Sequence, residues 1–150
     1  MDLRQFESQL REALAAEISA QREHLAGEVL LGCDLGCFPW FGYLELSFLT
    51  TDESEVVQAD PSSVADWRYY CCNATPTSLW PRGEALVEWL GGHVHDEEPP
   101  YGTAEQLWKA CARALMAADV QSELLRCKTA PGFLCTVLNP DDPGLSLIHI

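Results

Sequence analysis

Apolar residues near the start of the chain recur at helical intervals. Leu3, Phe6, Leu10, Leu14 and Ile18 follow one another at spacings of three and four, which places them in one stripe on a helix. Arg4, Glu7, Arg11, Glu12, Glu17 and Glu23 fall mostly off that stripe. Asp2 suits the N-cap and Gly27 lies just past the end, so the pattern predicts a helix over 3–25. The period then changes. Val29, Leu31 and Cys33 alternate with Leu30, Gly32 and Asp34, and Tyr43, Leu44, Leu46, Phe48 and Leu49 surround the outward candidates Glu45 and Ser47. Such alternation predicts strands over 28–36 and 42–50. The connector Gly36-Cys37-Phe38-Pro39-Trp40-Phe41-Gly42 has turn formers at both ends and makes the pair a hairpin.

Thr51-Asp52-Glu53-Ser54-Glu55 reads as an acidic loop, and Asp60-Pro61-Ser62-Ser63 as a turn leading into a helical turn through Val64-Ala65-Asp66. The aromatic run Trp67-Arg68-Tyr69-Tyr70-Cys71-Cys72 is β-prone and predicts a third short strand or extended segment. Residues 81–91 predict a helix with Leu86, Val87 and Leu90 inward, ended by Gly91-Gly92. His93 to Gly102 reads as a solvent loop. Thr103-Ala104-Glu105-Gln106 has the form of a capping box. It predicts a helix to about Arg126 that buries Leu107, Cys111, Leu115 and Leu124, with a bend or break at Ala117-Ala118-Asp119. Pro131-Gly132 introduces a last strand over 133–138. The expected fold class is α+β: a small, mostly antiparallel sheet packed against the N-terminal helix and two later helices. Residues 1–143 form one expected domain. The apolar tail 144–150 reads either as a short edge strand or as residues foreign to the natural chain, since its ending resembles translated sequencing-adapter sequence. His149 is given no functional role on either reading.

Composition narrows the function. The chain has 150 residues, a hydrophobic fraction of 47% and a formal net charge of −14. That length supports a core without staples. The charge argues against nucleic acid, whose phosphates need clustered Lys and Arg. It argues equally against an anionic membrane surface, and it suits a basic protein partner. Met1-Asp2-Leu3-Arg4-Gln5-Phe6 has neither a basic nor an apolar leader region, so the cytoplasm is the expected location. Seven cysteines, an odd number, predict reduced thiols that behave mostly as small hydrophobes.

Candidate chemistry is sparse. Cys33-x-x-x-Cys37 and Cys71-Cys72 do not have the tight knuckle spacing of a zinc site. His93-x-His95 with Asp96, Glu97 and Glu98 carries donors for a divalent metal, but its Gly and Pro neighbours suit a solvated loop. No metal and no cofactor is expected. There is no nucleophile elbow, phosphate loop or dinucleotide fingerprint. Aromatics cluster at Phe38, Trp40, Phe41 and Tyr43 and again at Trp67, Tyr69 and Tyr70. Most large rings belong to a core, whereas Trp40 and Phe41 at the hairpin tip suit an exposed contact patch.

Asp66-Trp67-Arg68-Tyr69-Tyr70 also carries a resemblance. Together with the N-terminal helix, the hairpin entering Thr51-Asp52-Glu53, and the late helix leading to Phe133 and the final strand, it resembles the bacterial family known as domain of unknown function 4303. The resemblance covers most of residues 3–140. It implies an α+β cytoplasmic domain with no established activity, so it assigns no catalytic residue. Small acidic domains of this kind look like proteins that neutralise toxins in bacterial conflict systems, an analogy only. Two functional readings follow. The first is a non-enzymatic module, with immunity type as one form, that binds a basic protein through Asp52, Glu53, Glu55, Asp96, Glu97 and Glu98 with Trp40 and Phe41 as anchors. The second is a small thiol- or metal-dependent hydrolase using His93, His95 or a cysteine.

Overall fold

The computed structural model describes residues 1–74, 81–94 and 102–138. The elements in chain order are α1 (Leu3–Gln21), β1 (Leu30–Phe38), β2 (Tyr43–Thr50), α2 (Glu55–Ala59), α3 (Pro81–His93), α4 (Gly102–Leu115), α5 (Ala118–Leu125) and β3 (Thr129–Thr136). Short 3₁₀ turns occupy Val64–Asp66 and Cys72–Ala74. The protein is α+β. The sheet has three strands in the order β2-β1-β3.

Helix α1 starts as its sequence dictates. The Asp2 side chain accepts a hydrogen bond from the Gln5 N–H at 2.8 Å, and the Gln5 side chain accepts one from the Asp2 N–H at 2.8 Å, a reciprocal cap. Phe6, Leu10, Leu14 and Ile18 are fully buried. The helix ends at Gln21, earlier than the apolar stripe suggested, and turns carry the chain to Gly27 at φ +91°. Helices α3 and α4 lie against the sheet, and α1 packs across α3, α4 and α5.

β1 and β2 form the expected antiparallel hairpin, with Cys33 opposite Phe48, Leu35 opposite Leu46 and Cys37 opposite Leu44. Its loop is Pro39–Gly42, so Cys37 and Phe38 belong to the strand. Gly42 has φ +64°, and an added Cβ there would sit 3.0 Å from the Gly91 Cα and 3.1 Å from the Val87 carbonyl oxygen. This tight approach explains why Gly91 lies inside α3 rather than ending it: the glycine admits the hairpin.

The sheet is mixed rather than mostly antiparallel, because β3 pairs parallel to β1, with Cys33 opposite Cys135 and Asp34 opposite Thr136. The helical connection between β2 and β3 gives the chain the length such a parallel return requires. Pro131 and Gly132 do not precede β3 but lie within it. Pairing jumps from Leu30–Thr129 to Gly32–Leu134, so the intervening residues loop out, where proline lacks a donor and Gly132 takes φ +83°. The expected long helix is split into α4 and α5. Ala117 is extended at the break, and the Gln121 side chain donates to the Leu115 carbonyl at 2.8 Å. Helix α4 begins at Gly102, so Thr103 lies inside it.

The aromatic run at 67–72 is not a strand. It makes one isolated bridge, Tyr69 with Phe48, and then enters a 3₁₀ turn. Cys71 takes the left-handed φ of 49° at that corner. Beyond that bridge, a side chain continues the pairing along the free edge of β2. Asn73 Oδ1 accepts from the Leu46 N–H at 2.8 Å, and its Nδ2 donates to the Leu44 carbonyl at 2.9 Å. A buried amide thus does the work of a neighbouring strand residue.

Candidate binding site on the outer sheet face

Alternation along the strands sorts the sheet into two faces. Cys33, Leu35, Cys37, Leu44, Leu46, Phe48, Cys135 and Val137 join the helices in one apolar core. The opposite, outer face carries Gly32, Asp34, Gly36 and Phe38 from β1, Tyr43, Glu45, Ser47 and Leu49 from β2, and Leu134 and Thr136 from β3.

Residues 51–71 run back over this outer face, and their aromatic run fastens them. Trp67 is buried, with its Cη2 3.9 Å from where a Cβ on Gly32 would stand. The Arg68 backbone N–H donates to Glu53 at 2.6 Å, and its guanidinium reaches Asp52 at 3.3 Å and Glu28 at 3.6 Å. Tyr69 donates its hydroxyl to Glu28 at 2.9 Å, and Tyr70 donates to Glu45 at 2.7 Å. Ser54 caps α2, so Glu55 is a helix residue in an exposed first turn rather than part of a loop.

Openings remain beneath this cover among the described residues. One is an apolar cleft of about 380 Å³ lined by Leu31, Leu49, Trp67, Leu134 and Leu138 among others. Another is a cavity of about 170 Å³ lined by Asp34, Gly36, Phe38, Glu45, Tyr70 and the Ser62–Val64 turn, among others. Glycine at 36 leaves room for the Phe38 ring, whose Cε2 stands 3.1 Å from where a Cβ would be. Asp34 is only 2% exposed. The Thr136 hydroxyl donates to its Oδ1 at 2.6 Å and the Leu138 N–H at 3.2 Å. Burial pushes the Asp34 carboxyl up to about 7; the two hydrogen bonds pull it down in part, and the Glu45 carboxylate adds to the rise. Tyr70 is pushed up to about 12, first by burial and then by its bond to Glu45.

Exposed aromatic rings occur in the hairpin loop, on β2 and on the covering segment. Phe41 is 65% exposed, Tyr43 58% and Tyr70 40%. Trp40 is half-buried, edge-on to Trp108 with ring centroids 5.7 Å apart. Asp52 and Glu53 hold Arg68, at the far end of β2 from Phe41. The separation is roughly 25 Å at about 3.3 Å per strand residue. The expected anchors and the expected first acidic cluster are therefore not one patch. Asp96, Glu97, Glu98 and His95 lie outside the described residues, as does the tail 144–150. Asp34, Glu45 and Tyr70 form a cluster that the sequence reading did not assemble.

The groups of the hydrolase reading are placed otherwise. His93 stacks on Trp89 at 4.3 Å between centroids. The seven cysteines are not joined in disulfides. Burial raises the pKa of Cys33, Cys72, Cys127 and Cys135, and the Cys111 side chain followed by burial raises that of Cys37. These thiols are held in the protonated, weakly nucleophilic form. Among the described residues no group of three or more His, Cys, Asp or Glu side chains is placed to hold a metal ion, and no helix is long and apolar enough to cross a membrane.

No family model, no curated protein and no solved structure matches the chain.

Proposed function

We propose that this protein is a non-enzymatic module that binds a basic protein, and that the contact is the outer sheet face beside Phe41, Tyr43, Glu45 and Tyr70. The observation that carries this reading is the exposure of aromatic rings around a carboxylate on a chain of net charge −14. Tyrosines of this kind are common anchors at interfaces. Residues 51–71, which cover the face, contain Asp52, Glu53, Glu55, Asp60 and Asp66 and a single cation, Arg68. An acidic rim of this kind speeds the approach of a basic partner and repels nucleic acid and anionic lipid. Immunity against a basic toxin in a bacterial cytoplasm is the specific form we favour, by analogy with other small acidic domains.

The test uses the intact protein, immobilised, to retain proteins from an extract of the cells that make it. A Tyr43→Ala, Glu45→Lys double variant runs in parallel after circular dichroism shows it folded. Retention of a basic protein by the parent and its loss by the variant supports the reading. Equal retention by both overturns the outer face as the contact, and failure to retain any basic protein overturns the function.

A further inference from the structure

The apolar cleft beneath residues 51–71 has a volume of about 380 Å³, within the range of small-molecule sites. Leu31, Leu49, Trp67 and Leu134 supply most of its apolar wall. A Cβ on Gly32 would stand 3.7 Å from the Leu49 Cβ and 3.9 Å from the Trp67 Cη2, so glycine leaves the gap between them unfilled. Among the described residues no charged side chain lines the cleft, on a chain of net charge −14. Its polar side chains are already engaged. Gln58 Nε2 donates to the Thr51 and Glu53 carbonyls, the Ser62 hydroxyl donates to Asp60, and the Thr136 hydroxyl donates to Asp34. Trp67 differs. The residue is 5% exposed, and its indole N–H is buried with no acceptor among the described residues. A buried indole N–H normally finds a partner, and leaving it without one costs free energy. Thr50 Oγ1 is also buried without a partner, but Thr50 does not line the cleft.

We propose that this cleft binds a small, neutral, largely apolar molecule with one hydrogen-bond acceptor, such as a ketone or ester carbonyl, which pairs with the Trp67 N–H. The inference goes beyond the protein-binding reading and does not depend on it. Neutrality follows from the lining: no side chain there compensates an ionised ligand, and burying an unpaired charge costs far more than burying a carbonyl. Leu134 lines the cleft while 39% exposed, so an apolar occupant also removes that surface from water. The Trp67 N–H is closed to water, so an acceptor reaches it through a slight shift of the ring, and the bond gained offsets that shift.

The experiment titrates the full chain, labelled with nitrogen-15, with acetophenone, with its hydrocarbon counterpart ethylbenzene, and with benzoate. The indole N–H resonances are followed by NMR, and the signal lost in Trp67→Phe identifies Trp67. Acetophenone should bind saturably, with Kd on the order of millimolar, and should move the Trp67 indole proton downfield. Ethylbenzene should bind without that downfield shift, and benzoate should bind about tenfold more weakly than acetophenone or less tightly still. Trp67→Phe keeps an apolar ring and removes the unpaired donor. It should weaken acetophenone about fivefold and leave ethylbenzene within about twofold. Leu134→Trp changes a partly exposed position, narrows the cleft and should weaken both neutral probes. No binding of either neutral probe, benzoate binding as tightly as acetophenone, or a ratio of the two neutral affinities unchanged in Trp67→Phe would overturn the proposal. So would undiminished binding of both probes by Leu134→Trp. A dimer in sedimentation that Leu134→Trp abolishes would assign the cleft to a second copy of the chain and overturn it as well.

Discussion

The two faces of the sheet are built from the same strands, and alternate residues of β1 show how differently they are used. Cys33, Leu35 and Cys37 point into the helices and are fully buried in apolar surroundings. Gly32, Asp34 and Gly36 point the other way and give that face two missing side chains around one charge. The helix side gains stability by close packing. The outer side gives some of it up, because a nearly buried carboxylate faces a second acid and a cavity remains beside it. Asp34 recovers part of that cost by accepting from Thr136 and Leu138, and a strongly perturbed acid in a cavity is where a partner is expected to act.

The contrast is broken most severely from the helix side. Phe48 is fully buried there, and Phe48→Ala should cost about 3–5 kcal/mol in denaturant unfolding. Asp34→Asn should do the opposite. The folded-state pKa of Asp34 is raised, so its contribution is greatest below about pH 4 and is lost as pH rises through about 7. The Asn variant escapes that loss. It should be more stable than the parent at pH 8 by as much as about 4 kcal/mol, with the difference vanishing near pH 4 in parallel urea melts. A parent stability that does not change across this range would place Asp34 in an ordinary solvated setting. Asn73→Ala tests the edge shared by both faces. It leaves the Leu46 N–H and the Leu44 carbonyl without their partner and should cost about 1–3 kcal/mol. The smallest effect is expected from Phe41→Ala, an exposed ring whose removal should change stability by less than about 0.5 kcal/mol. The same change should speed dissociation of a captured basic partner, and an unaltered off-rate would remove Phe41 from the contact.

The helix side was legible in the sequence because it obeys simple periods. The stripe Phe6, Leu10, Leu14, Ile18 and the alternation through Leu44, Leu46 and Phe48 specify burial without reference to anything distant. The outer side was less legible because its organisation is non-local. Trp67 to Tyr70 has strand-like composition, yet its side chains fasten a covering segment to Gly32, Glu28 and Glu45, and Asn73 takes over the edge pairing. The parallel placement of β3 follows from the long return through α3, α4 and α5, which local pattern does not encode. Exposure at a loop was also a poor guide to Trp40, since α4 brings Trp108 beneath it. One signal for the site was present. Glycines at 32 and 36 flank Asp34 at strand spacing, marking a face with room around a charge.

Asp34 itself offers the most direct test of the division between a packed face and a cation-seeking face. A carbon-13 NMR titration of its side-chain carboxyl, assigned by loss of the resonance in Asp34→Asn, reads the group without any partner. The account predicts a midpoint near pH 7, far above that of an exposed aspartate. A midpoint near pH 4 would mean that water or a cationic neighbour already satisfies the carboxylate, and would contradict the claim that the outer face awaits a basic partner.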